Sequence, residues 1–135
     1  MSPDEVFPSS KNPTEMNTLI PGTNRTPTVS FQNGNLAISG RSYMENSVEF
    51  YAPIKKLVDE YDGPINVEIG LDFFNTSSSK CLMDLLTLID KKCVSGLECK
   101  IRWSYKADDE DMKDSAEEFR DVLRHVTVEL EEIDD

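Results

Sequence analysis

Between Asp72 and Leu86 the chain reads DFFNTSSSKCLMDLL. Asn75, Thr76, Ser77 and Ser78 stand at a junction between an alternating apolar run and a run with helical spacing. Two kinds of chemistry suit them there. Asn, Ser and Thr side chains cap helices by accepting from the free N–H groups of the first turn. That same turn carries unpaired donors and a partial positive charge, so it tolerates a phosphate. A phosphate adds about −1.5 to −2 charge and three acceptor oxygens. At this corner it would alter a partner surface without unfolding the domain. Thr76, Ser77 and Ser78 are therefore candidate phosphoryl acceptors as well as candidate caps.

Other chemistry finds less footing. His125 is the sole histidine, and Cys81, Cys93 and Cys99 are scattered, so no metal-ligand cluster is legible. The cysteines fall on apolar helix and strand positions and read as core thiols. His125 reads as a helix C-terminal residue favoured by the dipole there, and no GxSxG elbow accompanies it. Carboxylates are abundant but crowd solvated faces, so no acid/base pair stands out. The run SGRSYMENS lacks both glycine-rich phosphate-loop patterns. No cofactor is implied.

Composition narrows the function classes. A chain of 135 residues, 38% hydrophobic and 30% charged, suits one globular domain with a real core. The net charge of −12, from 26 acids against 14 bases, argues against nucleic acid and against an anionic membrane surface. No window is apolar enough to span a bilayer, and no basic start leads into an apolar block as a secretory signal would. Three unpaired-spacing cysteines favour reduced thiols, hence a cytoplasmic setting.

The elements that would position the hydroxyl run are readable. Residues 1–17 are rich in Pro, Ser, Asn and acids and read as a flexible tail. TVSFQNGNLAIS is a hairpin about Asn33-Gly34. NSVEFYAPIKKLVDEYDG is a helix with Phe50, Ile54, Leu57 and Tyr61 on one face. Asn46 with Glu49 makes a capping box, and Pro53 should kink this helix or delay its regular start. INVEIGLDFF alternates, with Ile65, Val67, Ile69, Leu71 and Phe73 on the buried side. Ser77 to Val94 forms the next helix, on a stripe of Leu82, Leu85, Leu86, Ile89 and Cys93, ended by Gly96. LECKIRWSYK is a strand with Leu97, Cys99, Ile101, Trp103 and Tyr105 inward. DEDMKDSAEEFRDVLR is a helix burying Met112, Ala116, Phe119 and Leu123. VTVEL is a last short strand, and the acidic residues 131–135 should fray. Strand–helix–strand crossovers give parallel neighbours, and alternating rather than continuous apolar strands expose one sheet face. The expected fold is a two-layer α/β sandwich with a mixed sheet, an N-terminal hairpin and helices mainly on one face, spanning residues 18–130.

Several blocks, in order, resemble the SiaC family of bacterial regulatory phosphoproteins. They are IPGTNRTPTVSF, GRSYMENSVEFY, DFFNTSSSKCLMDLL, IRWSYKADDEDM and AEEFRD, and the match runs from about Leu19 to Val128. The chain departs from the family pattern at Met44, where proline commonly follows the tyrosine, and in its longer leading tail. The resemblance implies a STAS-like, anti-anti-sigma-factor-like fold and a phosphorylation switch. It implies a Ser/Thr kinase of the anti-sigma-factor type, a PP2C-like phosphatase, and a diguanylate cyclase activated by the unphosphorylated form to promote cyclic-di-GMP synthesis and biofilm formation. The acceptor would be Thr76, in preference to Ser77 or Ser78. Tyr43, Glu45, Asn46 and Ser47, with Asn75, would contribute to the partner surface.

Rival readings share parts of this. An anti-anti-sigma factor would use the same switch on an anti-sigma kinase. A small enzyme or ligand-binding domain would need a convergent pocket, for example one lined by His125 and carboxylates. A purely structural module would use the hydroxyls as helix caps and nothing more.

Overall fold

Asn33 and Gly34 both take positive φ, at 51° and 82°. That is the geometry of the tight turn their residue types favour. It joins β2 (Thr28–Gln32) to β3 (Asn35–Ser42) as an antiparallel hairpin. The computed structural model describes residues 18–93 and 98–134. The expected tail over 1–17, and the roles assigned to Val94, Gly96 and Leu97, lie outside the described residues. A Cβ on Gly34 would press on the Pro64 carbonyl and the Tyr61 ring. Gly34→Ala therefore meets both a disfavoured φ and a steric conflict. It is expected to cost ~2 kcal/mol or more, read as a lowered urea midpoint.

A short strand not foreseen from sequence, β1 (Thr18–Ile20), pairs antiparallel with β2. Beyond the hairpin come α1 (Ser47–Glu60), β4 (Ile65–Phe74), α2 (Thr76–Cys93), β5 (Cys99–Lys106), α3 (Glu110–Val122) and β6 (Thr127–Ile133). Among the described residues the six strands lie in chain order, and β3 to β6 are mutually parallel. All three crossovers step the same way along the sheet. Right-handed connections therefore put all three helices on one face.

The core forms between that face and the helices. Ile38, Ile69, Ile101 and Trp103 from the sheet meet Tyr51, Ile54, Leu82, Leu86 and Phe119, all buried. The other face stays wet and carries Glu68, Arg102 and Glu129, with Lys100 paired to Glu129 at 3.2 Å. This is the two-layer mixed α/β sandwich that the alternating strands implied.

Four details differ from expectation. In α1 the inward stripe is Tyr51, Ile54 and Val58, while Phe50 and Leu57 are half-buried. The helix must serve α2 as well as the sheet, so its apolar arc is wider than one stripe. Pro53 does not delay α1, which starts at Ser47. Pro53 and Glu49 are both exposed, so water can satisfy the Glu49 carbonyl that proline leaves without a donor. The forward half of the capping box forms, Glu49 N–H donating to Asn46 Oδ1 at 3.4 Å. The fraying expected from residue 131 is absent through Ile133, because β6 continues in register beside Ser104 to Lys106.

The fourth difference changes the surface at the end of β4. Gly40 faces Leu71 but Arg41 faces Phe73, so Asp72 is an extra residue, a β-bulge in β4. The bulge resets the alternation. Phe73, expected inside, is 42% exposed. Phe74 turns inward instead and packs edge-on against Trp103 and Phe119.

Candidate functional site

The two segments singled out in sequence meet at one corner, at the carboxyl ends of β3 and β4. Asn75, not Thr76, caps α2. Its Oδ1 accepts the Ser78 N–H at 2.9 Å, and its carbonyl accepts the Ser79 N–H. The helix begins at Thr76, one residue earlier than the spacing predicted.

That placement sorts the three hydroxyl candidates. Ser78 is fully buried. Ser77 is half-buried and bonds Ser47 Oγ at 2.8 Å. Thr76 is exposed, and its hydroxyl has no hydrogen-bond partner among the described residues.

Beneath the corner lies a chain of hydroxyls. Ser42 Oγ donates to Ser78 Oγ at 2.7 Å and meets Tyr51 Oη at 2.8 Å. A hydroxyl has one proton, so Tyr51 must donate to Ser42. Ser78 in turn reaches Ser47 Oγ at 3.2 Å. Ser42, Ser47, Ser78 and Tyr51 are all at most 1% exposed. Burial pushes the Tyr51 phenol up to about 12, against the lowering effect of its Ser42 bond. It stays a neutral donor at any physiological pH. Buried polar groups that are fully paired fix one geometry, and here they lock the starts of α1 and α2 to the end of β3.

Above the chain, the turn from Tyr43 to Asn46 is docked on the same corner. The Met44 carbonyl accepts from Asn75 Nδ2 at 3.0 Å. Tyr43 N–H donates to the Arg25 carbonyl at 2.6 Å. The Tyr43 ring, 46% exposed, stands edge-on to Phe73 with centroids 5.4 Å apart. The Arg41 guanidinium lies 5.9 Å from the Phe73 centroid. Glu45 and Asn46 are exposed, whereas Ser47 is buried. Of the expected partner-surface residues, then, Tyr43, Glu45 and Asn46 face outward. Ser47 and the half-buried Asn75 bond within the protein. Ser42, Tyr51 and the outward turn of Phe73 were missed. A hydroxyl at a strand end leaves little trace in sequence, whereas the bulge leaves one in Gly40 within β3, which takes a φ of 99° at the register shift.

The opposite end of the sheet holds an open cleft of about 450 Å³ lined by Asn66, Glu98, Lys100, His125 and Glu129. It is the feature that the ligand-binding reading asked for. Among the described residues, however, no three His, Cys, Asp or Glu side chains converge as metal ligands. The cleft also lies at the amino ends of β4, β5 and β6, whereas open parallel sheets bind ligands at their carboxyl ends. His125 is not in the last turn of α3 as expected, for α3 ends at Val122. It belongs to a turn whose successive N–H groups, from Arg124, His125 and Val126, donate to the buried Asp90 carboxylate at 2.7–3.2 Å. All three cysteines are free thiols. Burial first, and then Cys99 beside it, push Cys93 up to about 12, so it is not primed as a nucleophile.

Fold and corner together define a small two-layer α/β domain whose distinctive chemistry is an exposed hydroxyl at a helix start, beside an exposed aromatic pair. The chain belongs to the SiaC family of regulatory phosphoproteins, whose family model matches residues 20–133. SiaC of Pseudomonas aeruginosa has the same fold, with a TM-score of 0.79 at 29% identity over 87% of this chain and 98% of that one. A structure of the diguanylate cyclase SiaD in complex with its activator SiaC, from the same organism, matches with a TM-score of 0.80 at 33% identity. That match covers 86% of this chain and 99% of the other. An uncharacterized protein of P. aeruginosa strain UCBPP-PA14 is 37% identical over 108 residues, 76% of this chain and 86% of its own length. Among the described residues no helix is long and apolar enough to cross a membrane.

Proposed function

We propose that this protein is a non-enzymatic cytoplasmic switch whose unphosphorylated form binds and activates a diguanylate cyclase. A Ser/Thr kinase of the anti-sigma-factor type places a phosphate on Thr76, and a PP2C-like phosphatase removes it. One observation carries the reading: Thr76 is the exposed hydroxyl, without a partner among the described residues, of the corner on which the Tyr43–Asn46 turn is docked. The choice of cyclase draws on the likeness to P. aeruginosa SiaC, described as the activator of SiaD. That likeness favours a cyclase over an anti-sigma kinase as target.

The mechanism is electrostatic. The first turn of α2 accommodates a phosphate without loss of structure, through its N–H donors and dipole. The partner has to desolvate that phosphate. It would meet about −1.5 to −2 extra charge beside Glu45 and the Tyr43–Phe73 pair. Burying an unpaired charge costs enough to drive the complex apart.

The test is phosphopeptide mass spectrometry on the protein purified from its own host, with a phosphatase-treated control. Phosphate on Thr76, together with cyclase stimulation by the treated form alone, is the expected result. Phosphate on Ser77 or Ser78 would overturn the residue assignment. No phosphate under any growth condition would leave the hydroxyls a structural role alone.

A further inference from the structure

Asn75 performs two functions with one side chain. Its Oδ1 caps α2 through the Ser78 N–H at 2.9 Å. Its Nδ2 donates to the Met44 carbonyl at 3.0 Å, across 31 residues of sequence. Ser47 Oγ and Ser77 Oγ approach the same carbonyl at 3.3 and 3.4 Å. Both also have shorter hydroxyl partners, each other at 2.8 Å. The Asn75 amide is thus the shortest donor to Met44 and belongs to a different element from the turn it holds. On the far side, the turn is tied by the Tyr43 N–H to the Arg25 carbonyl. Between these two ties stands the exposed Tyr43 ring, resting on Phe73.

We infer that Asn75 is a positioning residue, whose amide holds the Tyr43–Asn46 turn in the form offered to the partner and couples that turn to the state of Thr76. The functional half of this rests on the switch reading above; the tie itself does not. The coupling follows from adjacency. A phosphate on Thr76 places anionic acceptors one residue from an amide donor that otherwise serves a neutral carbonyl. Charge-assisted hydrogen bonds are the stronger kind, so the amide transfers to the phosphate and the turn is released. Modification then acts on the surface twice, by charge and by loss of shape.

Asn75→Asp separates the two functions. Aspartate keeps the capping oxygen and suits the helix dipole, but it has no donor for Met44. Hydrogen exchange on the purified chain without partner is the first readout. The Tyr43 amide, which is bonded to the Arg25 carbonyl, should exchange about tenfold faster or more. The amides of Ser78 and Ser79 should keep their protection, and the melting temperature should fall by at most a few degrees. Asn75→Ala, which removes both functions, should speed exchange at both places. Kinase-treated wild type should resemble Asn75→Asp at the turn. Unchanged exchange at the turn in Asn75→Asp overturns the tie. Faster exchange with undiminished affinity for the host's diguanylate cyclase overturns the positioning role. If wild type itself does not bind that cyclase, the switch reading fails, and the exchange data still decide the tie.

Discussion

Thr76→Glu is expected to bind the host diguanylate cyclase about tenfold to a hundredfold more weakly than wild type, a loss of ~1.4–2.7 kcal/mol. Thr76→Ala should bind as the unphosphorylated wild type does and resist inactivation by the kinase. Both variants should fold normally. The cap of α2 is Asn75, and the Thr76 hydroxyl is exposed without a partner among the described residues. Taking Thr76 itself as the cap would predict a cost of ~1 kcal/mol for alanine. With the cap one residue earlier, alanine should be neutral or slightly stabilising, since it is the better helix former. Glutamate in a first helical turn is favourable to the dipole. A binding loss in Thr76→Glu at unchanged melting temperature therefore reports the surface, not the fold. Isothermal titration and cyclic-di-GMP production are the measurements, and equal binding by the two variants would sink the switch.

The largest stability effect is expected at Asp90. It is 8% exposed on α2, and its carboxylate receives the N–H groups of Arg124, His125 and Val126. It thereby holds the turn between α3 and β6 against the end of α2. Burial, the largest single influence, pushes its carboxyl up. The three backbone donors and the nearby His125 outweigh that and hold it below its ordinary value. Asp90→Ala strips the carboxylate from those three donors. It is expected to cost ~2–3 kcal/mol, lowering the melting temperature by on the order of 10 °C. The pH dependence has a definite sign. A carboxyl lowered on folding contributes stability that is fully present above the unfolded value, about 3.9, and is lost as pH falls through the folded one. The gap between wild type and Asp90→Ala should be widest at neutral pH and narrow below about pH 4. A gap that stays constant into acid would show that the carboxylate charge is not what holds the turn.

Much of this molecule is legible in its residue pattern, for identifiable reasons. Asn33-Gly34 dictates its turn through backbone sterics alone. The alternation from Ile65 to Leu71 and the stripe from Leu82 to Ile89 survive because burial is periodic where an element is regular. What escaped depends on irregularity or on distant partners. Phe73 fails because an extra residue in β4 resets the alternation after Leu71. The hydroxyl chain of Tyr51, Ser42 and Ser78 joins three elements and has no local signature. Asp90 did leave a mark, an acid four residues beyond Leu86 on an apolar stripe, but the N–H groups that answer it lie 34 to 36 residues away. At the corner, both segments were legible in the sequence, and the structure adds the hydrogen bonds that join them.

The strand order has a consequence for how the corner forms. Because the sheet runs in chain order, each strand docks beside the one made just before it. No strand waits for a distant segment to complete its pairing, which keeps contact order low for a sheet and speeds folding. Everything that builds the corner, from Arg25 through Ser78, precedes β5, α3 and β6. During synthesis this block leaves the ribosome before the Asp90 partners at Arg124 to Val126 do. All the residues that build the corner thus precede, along the chain, those that fasten the domain through Asp90.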